Sequence, residues 1–127
     1  MSLGKEIEQL ARNVIGAAIE VHRALGAGFL ESVYEEALCI ELDHKNIPYQ
    51  RQYPIAVNYR DRSVGEGRLD LLVGEKLIVE LKAIEAIAPI HMAQVISYLK
   101  TTGFNLALLI NFNVRVLKDG IKRIILD

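Results

Sequence analysis

Over the first forty-five residues the apolar positions recur at three- and four-residue steps. Ile7, Leu10, Ala11, Val14, Ala18, Val21 and Leu25 follow that spacing and predict a helix over 5–25. Gly26-Ala27-Gly28 stops it. A second helix is predicted from about Leu30 to Lys45, with Leu30, Val33, Tyr34, Ala37, Leu38 and Leu42 facing inward and with Asn46 and Pro48 ending it. The period then changes to two. Ile55, Val57 and Tyr59 alternate with Ala56 and Asn58, the mark of a strand. Arg60 to Ser63 reads as a polar turn, Gly67 to Val73 as a second strand, Gly74-Glu75 as a tight turn, and Leu77 to Ala83 as a third strand. A third helix follows, with Pro89 near its first turn and Gly103 after its end, the asymmetry expected of helix termini. Leu106 to Phe112 is apolar on both faces, which predicts a central strand, and Ile121 to Leu126 is a last strand at an edge. The order is ααβββαββ, an α/β fold.

Length and composition narrow this picture. The chain has 127 residues, of which 51% are hydrophobic, enough for one core. No Pro/Gly/Ser linker and no repeat divides it, so residues 1–127 are expected to form a single domain. The one cysteine, Cys39, excludes an internal disulfide and a two-cysteine zinc site. It lies in a helical apolar pattern among acidic neighbours and reads as a buried small hydrophobe, not a nucleophile. The first residues carry charges where the apolar region of a signal peptide would stand, and no apolar run approaches a membrane span. A cytoplasmic protein without a membrane partner is the expectation.

The formal net charge is −1, so there is no overall basic surplus of the kind that supplies non-specific nucleic-acid affinity. The charges are nonetheless uneven. Gly28 to Asp43 holds five acids (Glu31, Glu35, Glu36, Glu41, Asp43) and no Lys or Arg, while Arg51 to Arg68 holds four arginines against Asp61 and Glu66. Each run can be a solvated face, and Glu35 and Glu36 are assigned to the solvated side.

The third predicted strand reads Leu77-Ile78-Val79-Glu80-Leu81-Lys82-Ala83. Side chains alternate in a strand, so Glu80 and Lys82 share a face that would otherwise suit the interior. The second strand, Arg68-Leu69-Asp70-Leu71-Leu72-Val73, likewise carries one carboxylate in an apolar run. Ionised groups are rarely buried unless they are paired or bind a metal. Two such strands side by side would set two like charges together, and a hard divalent cation satisfies both. The competing structural reading is that Asp70 or Glu80 pairs with Lys82 as a buried ion pair that fixes register.

Asp70, nine intervening residues, then Glu80-Leu81-Lys82 resembles the D…ExK signature of the PD-(D/E)XK nuclease superfamily. Gly28-Phe29-Leu30-Glu31-Ser32-Val33-Tyr34 matches the GxxExxY motif that names a small bacterial and archaeal family of that superfamily. The similarity runs from Ile15–His22 through Gly65–Val73, Val79–Ala83 and Gln94–Leu99 to Leu108–Phe112, nearly the whole chain in order. It implies a restriction-endonuclease-like core, a mixed central β-sheet flanked by helices. It further implies hydrolysis of phosphodiester bonds in DNA or RNA with Mg2+ or Mn2+. By position, Asp70 and Glu80 would hold the metal with the Leu81 carbonyl, Glu31 would complete the acidic cluster, and Lys82 would orient or deprotonate the attacking water. Two departures stand out: Leu69 occupies the place of the signature proline, and Ala27 stands where relatives often have proline.

The resemblance also implies roles for flanking residues. Gln94 and Tyr98 match a QxxxY helix motif and share a helix face four residues apart, where they would position the metal or a phosphate; the plainer reading is a Tyr at the core edge with Gln tying down backbone. Tyr34 reads as a core aromatic whose hydroxyl reaches Glu31 or the site. Arg60, Arg62 and Arg68 precede Asp70 and would meet the phosphate backbone, Arg68 having the same strand parity as Asp70. His22 reads as a satisfied structural histidine, and His44 and His91 show no ligand spacing. A homodimer is compatible, the strand after Gly120 offering an edge. The alternative function is a catalytically inactive nucleic-acid-binding or protein-interaction module that keeps the fold; the few aromatics for base stacking and the slightly acidic balance count against a nuclease that works without a partner, an oligomer or a very restricted substrate.

Overall fold

A computed structural model describes residues 3–126. Two helices lead, α1 (Lys5–Leu25) and α2 (Glu31–His44). Strands β1 (Tyr49–Tyr59), β2 (Arg62–Val73) and β3 (Leu77–Lys82) follow, then α3 (Pro89–Thr102), β4 (Leu106–Asn111) and β5 (Ile121–Ile125). A short 3-10 turn, Leu117–Gly120, leads into β5. The strands form one sheet in the order β1-β2-β3-β4-β5. β3 and β4 are parallel, joined by the α3 crossover, and the other pairs are antiparallel, so the sheet is mixed.

Burial explains this layering. α1 presents Ala11, Val14, Ala17, Ala18 and Val21 to one face of the sheet, and α2 adds Tyr34, Leu38, Cys39 and Leu42. They pack on Leu71, Val79, Leu81, Leu108 and Ile110, with Tyr34 stacked on Phe112 at 4.5 Å between ring centroids. α3 covers the opposite face with Val95 and Leu99 against Leu69, Leu72, Ile78 and Leu109. β3 and β4 are buried on both faces, as interior strands between helices must be. His91 sets the start of α3, its Nδ1 accepting the Ala88 N–H at 2.8 Å.

Several expectations are corrected. Leu30 and Val33 do not face inward: Leu30 caps α2 and is 76% exposed, and Val33 is exposed too. A buried residue the pattern passed over, Glu35, takes a place on the inner side in their stead. β1 and β2 are longer than the alternation suggested, since the turn needs only Arg60 and Asp61, both at positive φ. β3, β4 and β5 each end one residue earlier than expected. His22 is the structural histidine predicted, its Nε2 2.8 Å from the Val114 carbonyl oxygen. Cys39 is buried, and burial pushes its thiol up to about 11, so it stays protonated.

Candidate metal and phosphodiester site

β2 and β3 form a fork. They pair from Val73↔Leu77 to Leu71↔Val79 and then separate. One step beyond the last pair stand Asp70 and Glu80, opposite one another by register. There the side chains take over from the backbone ladder. Glu80 Oε2 accepts the Asp70 N–H at 2.6 Å, and Asp70 Oδ2 accepts the Leu81 N–H at 2.8 Å. Each strand's carboxylate thus caps an amide that the departing partner strand would have satisfied, which holds both acids in fixed directions.

Both carboxylates are pressed toward their neutral forms. Burial raises Glu80 to about 8, the charge of Asp70 adding to it. Burial also raises Asp70, opposed by the Leu81 N–H. Glu31, at the start of α2, is raised by partial burial and by the charge of Asp70. On α3, Tyr98 is raised by burial and then by Glu80 and Asp70. Lys82 favours the charged forms of Glu31, Asp70 and Glu80, yet closes no ion pair with any of them among the described residues. The buried ion pair weighed as the structural alternative is therefore not the arrangement here.

The donor set suits a hard cation. Glu80 is 4% exposed, and no buried side-chain polar atom among the described residues lacks a partner. Its Oε1, which accepts no hydrogen bond, is consequently the oxygen that keeps contact with solvent. The Leu81 N–H points to the β2 side, and in a strand the carbonyl of the same residue points the same way. The Lys82 carbonyl is turned to the other side, accepting the Phe112 N–H at 2.9 Å. Two carboxylates and the Leu81 carbonyl thus face one fork, a hard oxygen set of the kind that binds Mg2+ or Mn2+. Three acid, histidine or cysteine side chains do not converge into a closed cluster among the described residues, so Glu31 bears on the fork through its charge and does not join it as a third carboxylate.

The other named residues divide. Tyr98 lies beside the fork, its ring where a Cβ on Gly67 would stand 3.1 Å away. Gln94, exposed one turn earlier, makes no hydrogen bond to these groups among the described residues. Tyr34 is the core aromatic expected, but its hydroxyl does not reach Glu31: it donates to the Gly26 carbonyl at 2.6 Å and accepts the Phe29 N–H at 3.2 Å. The hydroxyl serves the α1–α2 loop that delivers Glu31. Arg68 is exposed, two residues from Asp70, but simple parity fails between them, since Leu69 and Leu71 belong to opposite faces of the sheet. Arg60 and Arg62 sit at the tip of the β1–β2 hairpin, roughly 26 Å along the strand from Asp70 at ~3.3 Å per residue. Arg60 instead lies over the Tyr59 ring at 5.7 Å.

Glu35 is corrected most clearly. It is 9% exposed, not solvated, and its carboxylate accepts from Arg51 Nε at 3.2 Å, Arg51 Nη2 at 3.0 Å and Gln52 Nε2 at 2.9 Å. Glu36 is exposed, as expected, and shares Arg51. Nothing in the residue pattern singles out Arg51 and Gln52 as the partners of Glu35. The signal available was Glu35 itself, which falls on the same helix stripe as Leu38 and Leu42.

An α/β domain with a mixed sheet, in which two strands fork around D…ExK, is the architecture of a nuclease core. A model of the PD-(D/E)XK nuclease superfamily matches residues 8–124, and the chain belongs to that superfamily. Neither a curated protein nor a solved structure gives a significant match.

Proposed function

We propose that this chain is a Mg2+- or Mn2+-dependent nuclease of the GxxExxY group, hydrolysing phosphodiester bonds of DNA or RNA. The observation that carries the reading is the fork: Asp70 and Glu80 face each other under burial, held by backbone amides, with Lys82 alongside but bonded to neither. A purely structural site would have closed the ion pair.

In this reading Asp70, Glu80 and the Leu81 carbonyl hold the metal, with Glu31 adding negative charge at the rim. The metal, when bound, lowers the pKa of a water and polarises the phosphoryl oxygen. Lys82 Nζ, free of the carboxylates, orients the attacking water or accepts its proton and then meets the charge that develops on the phosphoryl oxygens. The Asp70 and Leu81 N–H groups keep the carboxylates from rotating away. Tyr98 and Gln94 border the fork on α3 and bear on substrate placement. Arg68 meets a phosphate flanking the scissile one, with Arg62 at the far end of the same strand and Arg60 in the hairpin turn beyond it.

Calorimetric titration with Mn2+ of the wild type and of Asp70→Asn, with cleavage of labelled single- and double-stranded DNA and RNA, tests this. Mn2+ binding and cleavage that both vanish in Asp70→Asn are expected. Wild-type protein that binds nucleic acid with no Mn2+ binding and no cleavage would overturn it. That result would favour the second reading, an inactive nucleic-acid-binding module. The lack of a converged three-ligand cluster among the described residues leans that way.

A further inference from the structure

Gln52 is the fourth residue of β1 and has φ of 50°, in the left-handed region. A long, non-glycine side chain is disfavoured there, and such strain persists only where surrounding contacts impose it. The hairpin turn does not require it, for the turn is eight residues away at Arg60-Asp61. Nor does a slipped register, since Arg51↔Leu71 and Tyr53↔Leu69 keep the same alignment on either side. That alignment sets Gln52 directly across from Asp70. At this pair the ribbon changes face. Tyr49 and Leu71 pack with the α1–α2 layer, whereas Tyr53 and Leu69 pack with the α3 layer.

The unusual backbone gives the side chain its position. Gln52 Nε2 donates to Glu35 Oε1 at 2.9 Å, and its amide, across the strand pair from Asp70, favours the charged form of that acid. An amide nitrogen carries two hydrogens, so one NH2 can serve two acids. Glu35 cannot swing away, because its other oxygen is fixed by Arg51 through both Nε and Nη2. Arg51 is itself anchored on both oxygens of Glu36. A continuous chain of hydrogen bonds therefore runs from the exposed face of α2 through Arg51 and Glu35 to Gln52, which stands across from Asp70.

We propose that Gln52 is a positioning residue for Asp70: its amide, turned inward by the left-handed backbone and anchored on Glu35, fixes the direction in which Asp70 presents its oxygens to the fork. Asp70 is thus held from two sides, by the Leu81 N–H and by Gln52. The proposal deepens the nuclease reading and depends on it only for the consequence in metal binding.

The test uses Gln52→Gly, which accepts the positive φ without strain, and Gln52→Met, which keeps the length and loses the donors. In metal-free protein, nitrogen-15 NMR would follow exchange protection of the Leu81 amide, the donor to Asp70 Oδ2. Protection at Leu81 is expected to fall about tenfold in both variants, with the Leu38 and Leu42 amides of α2 unchanged. The Mn2+ dissociation constant should rise about tenfold in parallel. A role confined to docking α2 on β1 would instead loosen α2 and leave Leu81 alone, overturning the proposal. So would unchanged Leu81 protection in a folded Gln52→Gly protein. Should the wild type bind no Mn2+, the metal reading fails, and the Leu81 amide alone decides the role of Gln52.

Discussion

Glu80 accepts the backbone N–H of Asp70 at 2.6 Å, while Asp70 accepts the N–H of Leu81, the residue after Glu80, at 2.8 Å. The two acids hold each other's strands, yet their charges repel. Glu80→Gln keeps an oxygen for the Asp70 N–H and removes one buried charge. Metal-free Glu80→Gln is expected to be more stable than wild type near pH 8, by about 1–3 kcal/mol in urea denaturation. It is also expected to lose Mn2+ binding. Equal or lower stability would mean that the Glu80 charge is compensated in a way the fork does not provide.

The pH dependence has a definite sign. Glu80 ordinarily titrates at 4.5 and in the folded chain is pushed up to about 8, first by burial and then by Asp70. Between those values the folded state keeps a proton that the unfolded state releases. Stability therefore declines as pH rises through that interval. Burial shifts Asp70 and Glu31 in the same direction. Metal-free protein should melt at a higher temperature at about pH 5.5 than at about pH 8, and Glu80→Gln should flatten the difference. Saturating Mn2+ should reverse the trend, because its carboxylate ligands bind it deprotonated. A melting temperature that rises steadily with pH in the absence of metal would contradict the raised Glu80.

Lys82 is half-buried at the mouth of the fork without an ion-pair partner among the described residues. Lys82→Met preserves its aliphatic length. Its fold and Mn2+ affinity are expected to persist, while single-turnover cleavage falls about 10²–10⁴-fold, the range general acid–base and charge-stabilising groups contribute. Loss of Mn2+ affinity together with cleavage would instead make Lys82 part of the site's framework.

Much of this arrangement was legible in the amino-acid order. The 3.6 period of α1 and the unbroken apolar run of β4 each specify one structure, because a long helix or a doubly buried strand leaves a pattern in every residue. Glu80 and Lys82 stood out because ionised residues are costly in such a strand. The start of β1 and the inner stripe of α2 were not legible. Glu35 counts as solvated until Arg51 and Gln52 are brought to it from sixteen and seventeen positions away. Leu30 and Val33 fit the helical period but stay exposed at the start of α2. Parity through Asp70 failed because one left-handed residue on the neighbouring strand rotates the ribbon.

Tyr34 shows how a residue can serve the fork from a distance. Its hydroxyl joins Gly26 and Phe29 across the loop before α2, and Glu31 follows two residues later. Tyr34→Phe keeps the stacking on Phe112 and leaves the Gly26 carbonyl and the Phe29 amide without this partner. A stability loss of about 1–2 kcal/mol is expected, with faster exchange at the Phe29 amide. Mn2+ affinity should weaken only slightly, since Glu31 acts through its charge at the rim. A large loss of Mn2+ affinity would indicate that the loop supplies a direct ligand.

Gly67 tests the placement of Tyr98. A Cβ there would lie 3.1 Å from the Tyr98 ring and 3.2 Å from an Ile55 side-chain carbon, so Gly67→Ala must displace one of them. Ile55 is buried in the α3 layer, whereas Tyr98 is only half-buried, so the ring is the part that yields. The expected cost is about 1–2 kcal/mol by urea denaturation, the usual range for overpacking. In a Tyr98→Ala background the same substitution should cost clearly less, because the closer contact has gone. The ring is also the group that borders Glu80 and Asp70 on the α3 side. Gly67→Ala should therefore shift the Tyr98 ring resonances and alter the substrate KM more than the Mn2+ affinity. Additive costs in the double mutant would mean that Ile55, and not Tyr98, takes up the added methyl.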